Sequence, residues 1–233
     1  LDSLVGIFGI GMIPTGDKDP FALRRAALGL LRIMVENQRA LDLQLLINAA
    51  TEGYGDTIAA DTNNKVFDFV LERLRGYYHE REVTPAVFDS VLSCRPTQPL
   101  DFDQRIAAVK DFVIREESAS LSAANKRIHN LLKKTDEPIP DSVDSSLFEE
   151  DAEKALAADL DQIRQQLDDA LAKDQYATAL EVLSTLRNPV DTFFEAVMVM
   201  SDNDAVRRNR LALLSQLRNQ FLRIADISLL HTT

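Results

Sequence analysis

The sequence has 233 residues, a formal charge of −11, one cysteine and no tryptophan. A chain of this length buries roughly 70% of its unfolded surface, enough for one large domain or two small ones, and Cys94 alone excludes an internal disulfide and a cysteine-based zinc site, as suits a reducing compartment. No apolar run reaches the ~18 residues of a membrane span and LDSLVGIFGIGM lacks the basic flank of a signal peptide, so a soluble cytoplasmic protein is expected; its start at Leu1 rather than Met points to a piece of a longer chain.

All eight glycines lie at or before Gly76, and Tyr77 to Thr233 has none. Tight hairpin turns lean on glycine, and no alternation of β-branched residues appears, so the fold class expected is all-α. The opening stretch GIFGIGMIPTGDKDP reads as a packed loop that lets backbones approach closely. It is no phosphate cradle, because a P-loop needs Gly-Lys-Ser/Thr opening a helix and a dinucleotide site needs a preceding strand. Asp19 is placed to cap a helix with Pro20 at its first position, running to about Asn37. A nearly all-apolar helix is predicted over 41–51, and another over 62–80 with Val66, Phe69, Val70 and Leu74 inward. Thr84 and Pro85 start a helix that reaches about Cys94. The run Arg95, Pro96, Thr97, Gln98, Pro99 breaks it and sets the preferred boundary between segments 1–95 and 96–233.

Charge then alternates in blocks. Residues 104–135 hold seven basic residues against three acids, and 136–174 hold three against thirteen. The basic block contains helices over about 103–115 and 118–134. The second puts Leu121, Ala124, Ile128, Leu131 and Leu132 inward and Lys126, Arg127, Asn130, Lys133 and Lys134 outward. A solvated helix face and a phosphate- and base-contacting surface both fit that pattern. TDEPIPDSVDSS (135–146) reads as a mobile acidic connector, followed by helices over about 147–172 and 176–187. After the break at Asn188-Pro189, the adjacent Phe193 and Phe194 point about 100° apart, so one belongs to the core and the other is half-exposed, where it can serve as a stacking platform. A last long helix sets Val206, Leu213, Leu214, Leu217, Phe221 and Ile224 on one side and Arg207, Arg208, Arg218 and Arg223 on the other. From Ala205 on there are five arginines and one acid, Asp226. His79, His129 and His231 form no metal-ligand cluster in the sequence, and no catalytic motif is visible.

The stretches ANKRIHNLL (124–132), NPVDTFFEAVMVM (188–200) and NRLALLSQLRNQFLRIADISLL (209–230) resemble the C-terminal part of the β chain of bacterial heterotetrameric glycyl-tRNA synthetase. DPFALRRAALGLLRI (19–33) and VLSCRPTQPLDFDQRIAAVKDF (91–112) are similar to the same chain further upstream. Cys94 and His129 are the residues the family pattern does not call for.

The resemblance implies a helical segment of the β chain's middle region over 1–95 and a helical-bundle anticodon-binding domain over 96–233. The partners it implies are a glycine tRNA, through its anticodon loop, and the catalytic α chain, with neither membrane nor DNA. ATP and Mg2+ would be used on the α chain, leaving this chain without a cofactor and without aminoacylation activity alone. An anticodon loop ending in two cytosines is read by stacking bases on aromatic or guanidinium planes and bonding their edges. The residues this assigns are Lys126, Arg127 and Asn130 on one wall, Arg207, Arg208 and Asn209 on a facing wall, and Arg187 and Asn188 at the intervening break. Asp191 either accepts from a cytosine amino group or serves its helix N-terminus. The competing reading is a helical scaffold that docks the α chain without reading the anticodon. A helical hydrolase remnant is a third, and it lacks the acidic or histidine cluster it would need.

Overall fold

The computed structural model describes residues 1–16 and 18–230, so His231 lies outside the described residues. Among these there is no strand, only an isolated bridge between Thr15 and Lys18. The helices are α1 (Asp2–Gly9), α2 (Leu23–Glu36), α3 (Leu43–Glu52), α4 (Thr62–Glu72), α5 (Leu74–His79), α6 (Pro85–Leu92), α7 (Pro99–Val113), α8 (Glu116–Lys133), α9 (Asp151–Leu171), α10 (Tyr176–Ser184), α11 (Arg187–Ala196) and α12 (Asp204–Leu222). They form two compact units, one of residues 1–88 with 95–106 and the other of 89–94 with 107–233.

The first unit differs from the sequence expectation at its start. Residues 10–16 and 18–19 are non-helical as expected, but the first four residues of the predicted loop, 6–9, are the end of the helix α1, because Leu4, Val5 and Phe8 fall on one side and are buried. Its glycines still serve close approach. A Cβ at Gly6 would lie 2.5 Å from the Tyr54 hydroxyl, and one at Gly9 would fall inside the Ile58 side chain. Asp19 caps α2 as expected in chemistry, its carboxylate accepting from the N–H groups of Leu23 (2.8 Å) and Arg24 (2.9 Å). The helix begins three residues later than predicted, past Pro20. In α3 only Leu43 and Ile47 are buried and Leu45 is largely exposed, so the apolar run has an outer face. The predicted 62–80 helix is broken at Arg73, and Phe67 rather than Phe69 is its buried aromatic. Tyr78 stacks on Phe102 with ring centroids 5.7 Å apart and donates to Asp103 at 2.8 Å. Burial first, then that carboxylate, pushes its phenol well above the ordinary range.

In the second unit α9 packs on α10 and α11, and α8 packs on α11, α12 and the short turn Ile227–Leu229. Val206, Leu213, Leu214, Leu217, Phe221 and Ile224 are all buried, as the helical period requires. The 135–146 connector is pinned rather than loose. The Asn209 amide pairs with both main-chain groups of Asp144, accepting from its N–H at 2.8 Å and donating to its carbonyl at 3.0 Å. Gln216 donates to the Asp141 carbonyl at 3.3 Å. Among the described residues no helix is long and apolar enough to cross a membrane.

Candidate nucleic-acid interface

The site is built on α8 and α11. The inward stripe Leu121, Ala124 and Ile128 is buried and fixes the rotation of α8, which leaves Lys126, Arg127 and Asn130 exposed. Three contacts tie α8 to α11. Arg187 donates to Glu116 at 2.8 Å, Ser120 donates to Asp191, and the Arg127 guanidinium lies 4.3 Å from the Phe194 ring centroid. Residue numbers rise together in these pairs, so the two helices run side by side in the same direction.

Phe193 is fully buried and meets Phe194 edge to face, with centroids 5.6 Å apart. Phe194 is therefore fixed from below and half-exposed. Its Arg127 neighbour is ion-paired to no carboxylate among the described residues. A clamped aromatic ring beside an uncompensated guanidinium supplies two planes and one positive charge. That chemistry suits a stacked base with its phosphate.

The other candidates are differently placed. Arg187 pairs with Glu116 and, at 3.8 Å, with Asp191. The Glu116 hydrogen bond raises the guanidinium pKa and lowers that of the carboxylate. Asp191, held by Ser120 and Arg187, serves the helix junction. Asn188 is exposed. On α12, Arg207 donates to the Ser201 carbonyl at 2.9 Å, to Glu137 at 2.8 Å and to Asp204 at 2.9 Å, so it ties the 197–203 loop to the connector. Asn209 is buried and fully engaged with Asp144, which makes it a structural pin and removes it as a base contact. Arg208 donates to the Asp204 carbonyl at 3.3 Å and is the arginine of that trio with no carboxylate partner among the described residues.

Two arginines of α12 are buried, Arg210 and, against expectation, Arg218. Arg210 donates to Glu153 at 3.0 and 3.1 Å, to Glu149 at 2.9 Å and to the Met198 carbonyl at 3.0 Å. Glu153 also accepts the N–H groups of Glu149 and Glu150, capping α9. Burial pushes its carboxyl up, but Arg210 and these two amides outweigh that and hold it below the ordinary value. Arg218 makes a two-pronged pair with Asp226 at 2.9 and 2.6 Å. The signal was present in the sequence, since Arg210 lies four residues after Val206 and three before Leu213, on the apolar stripe itself.

Among the described residues no group of three or more His, Cys, Asp or Glu side chains is placed to hold a metal ion. Comparison with known proteins places these helices. Residues 1–93 match the family model described as glycyl-tRNA synthetase beta subunit, and residues 121–230 match that of the DALR anticodon binding domain. The glycine–tRNA ligase beta subunit of Pseudomonas aeruginosa (strain UCBPP-PA14) is 53% identical over 231 residues, which is 99% of this chain and 34% of the relative. Those of Shewanella sp. (strain MR-4) and Marinobacter nauticus are 51% and 49% identical, again over 34% of their length. The chain thus spans about a third of the curated relatives it matches. With near-complete coverage of its own sequence at this identity, and two family models matching in order, the chain belongs to the glycyl-tRNA synthetase beta-subunit family.

Proposed function

We propose that the second unit captures a glycine tRNA by its anticodon loop, with Arg127 and Phe194 as the stacking platform and Lys126 and Asn130 beside it on α8. The observation that carries this reading is the Arg127 guanidinium laid over the half-exposed Phe194 ring at 4.3 Å, within residues that match an anticodon-binding domain. Arg208 supplies a further phosphate contact. Activation of glycine with ATP and Mg2+ belongs to a separate catalytic α chain, so this chain contributes tRNA binding to the ligase and has no ligase activity alone.

The test is binding of a glycine-tRNA anticodon stem-loop at two salt concentrations. Phe194→Ala is expected to cost about 1–3 kcal/mol, and Arg127→Ala to weaken binding and flatten its salt dependence. Replacing the two cytosines is expected to lower affinity if bases are read. Wild-type affinity in both variants would sink the assignment. Exposed Met198 and Met200, at 75% and 50%, favour a second reading in which this face docks the α chain. Binding to a purified α chain with no binding to tRNA would decide for it.

A further inference from the structure

The first unit contains a cavity of about 660 Å3, within the range of small-molecule sites, between the first turn of α2, the α4–α5 junction and the start of α6. Four arginines line it, Arg24, Arg25, Arg73 and Arg75, against two carboxylates, Glu72 and Glu80. Two of the guanidiniums are positioned by aromatic rings, Arg73 at 5.1 Å from the Phe69 centroid and Arg75 at 4.6 Å from that of Phe88. Glu72 compensates Arg75 through hydrogen bonds of 2.5 and 3.3 Å. Among the described residues no carboxylate is ion-paired with Arg24, Arg25 or Arg73. The Arg73 Nε is buried without a hydrogen-bond partner, an arrangement that is costly unless a ligand completes it.

Leu28, Val83 and Phe88 supply an apolar wall to the same cavity. Clustered guanidiniums in an acidic protein repel one another, and a bound anion relieves that repulsion. The excess of two positive charges in the lining matches a phosphate monoester dianion, and the glutamates disfavour a longer polyphosphate. We infer that this cavity binds a nucleoside monophosphate, its phosphate held by Arg24, Arg25 and Arg73 and its ring on the apolar wall. The nucleotide is either a free metabolite or the terminal nucleotide of an RNA chain that ends in a phosphate monoester. This site lies in the first unit and is independent of the anticodon-binding reading.

Isothermal titration calorimetry of the whole chain with AMP, CMP, cytidine, adenosine and inorganic phosphate tests it. A mononucleotide is expected to bind, with the nucleosides and inorganic phosphate each at least about tenfold weaker. Arg73→Gln is expected to weaken the mononucleotide roughly tenfold to a hundredfold, as loss of a charge-assisted hydrogen bond does. Gly76 gives a second variant that leaves every arginine in place. It lines the cavity, its backbone φ is not in the left-handed region, and a Cβ there meets nothing within 4 Å, so Gly76→Leu is expected to fill the site without unfolding the chain. Its anticodon stem-loop binding should be unchanged. A short single-stranded RNA with a 5′-phosphate separates the two sources: competition with AMP that Gly76→Leu abolishes identifies a terminal nucleotide of RNA, and AMP binding without competition identifies a free metabolite. Absence of mononucleotide binding at millimolar concentration overturns the inference, as does undiminished binding in Gly76→Leu or inorganic phosphate that binds as tightly as AMP.

Discussion

Arg210 shows how one side chain can organise three pieces of a fold. It ties α12 to the capping carboxylate of α9 and to the carbonyl of Met198 in the preceding loop. With Glu153 fully buried and Arg210 almost so, removing either partner strands a charge away from water. Arg210→Ala is therefore expected to cost about 3–5 kcal/mol in urea denaturation. Replacing the pair by Arg210→Met with Glu153→Leu should recover much of that loss, although α9 then lacks its cap. An equal loss in the single and double variants would show that the ion pair itself is not what matters. At this scale the sequence was legible where a residue's face decides its role. Arg127 and Asn130 project outward as the period requires, and one of two adjacent phenylalanines is core. Arg218 was placed on the outer side and Arg210 on neither, although Arg210 lies between Val206 and Leu213, and Arg218 between Leu214 and Phe221, at helical spacings that already placed them inside.

The pairing of α8 with α11 could not be read from either helix, because it rests on contacts about seventy residues apart in the chain. Helix starts and stops were readable where proline, threonine or aspartate mark them, as at Thr84 and Pro85. The break at Arg73 carries no such mark. In α1 the glycines lower intrinsic helix propensity, and tertiary packing overrides that deficit. Gly9 is tolerated there because Ile58 occupies the space of its missing side chain. Gly9→Ala is accordingly expected to lower stability by about 1–3 kcal/mol through overpacking. Gly29→Ala in α2, where a Cβ meets nothing within 4 Å, should be neutral or stabilising by up to about 1 kcal/mol. Thermal melts of the two variants check the contrast, and equal losses would remove the close-approach explanation.

Across the whole chain the net charge of −11 hides a division between acids that face solvent and acids that hold the fold. Glu153 and Asp226 belong to the second kind. Burial raises both carboxyls, and their arginine partners and hydrogen bonds more than offset it, so both sit below the ordinary values of 4.5 and 3.8. The unfolded chain then takes up these protons first as pH falls. Their contribution to stability is full above about pH 5 and is lost as pH drops through 4.5 and 3.8 toward the lower folded values. Urea midpoints measured from pH 7 to pH 3 should follow that course, and the fall should be shallower in Asp226→Asn; a flat profile would remove the linkage. The acidic blocks were plain in the sequence, but which acids would be sequestered depended on distant arginines. The connector between α8 and α9 is fastened to α12 in two ways with opposite responses to ionic strength. Its Glu137–Arg207 contact is Coulombic and weakens as salt screens it, whereas the clasp of Asn209 on the Asp144 peptide carries no charge and is indifferent to screening. Raising salt therefore loosens the connector's charged tether while its uncharged clasp keeps it in register, and Arg207 retains its bond to the Ser201 carbonyl, so at high salt this arginine still holds the 197–203 loop although its grip on the connector weakens.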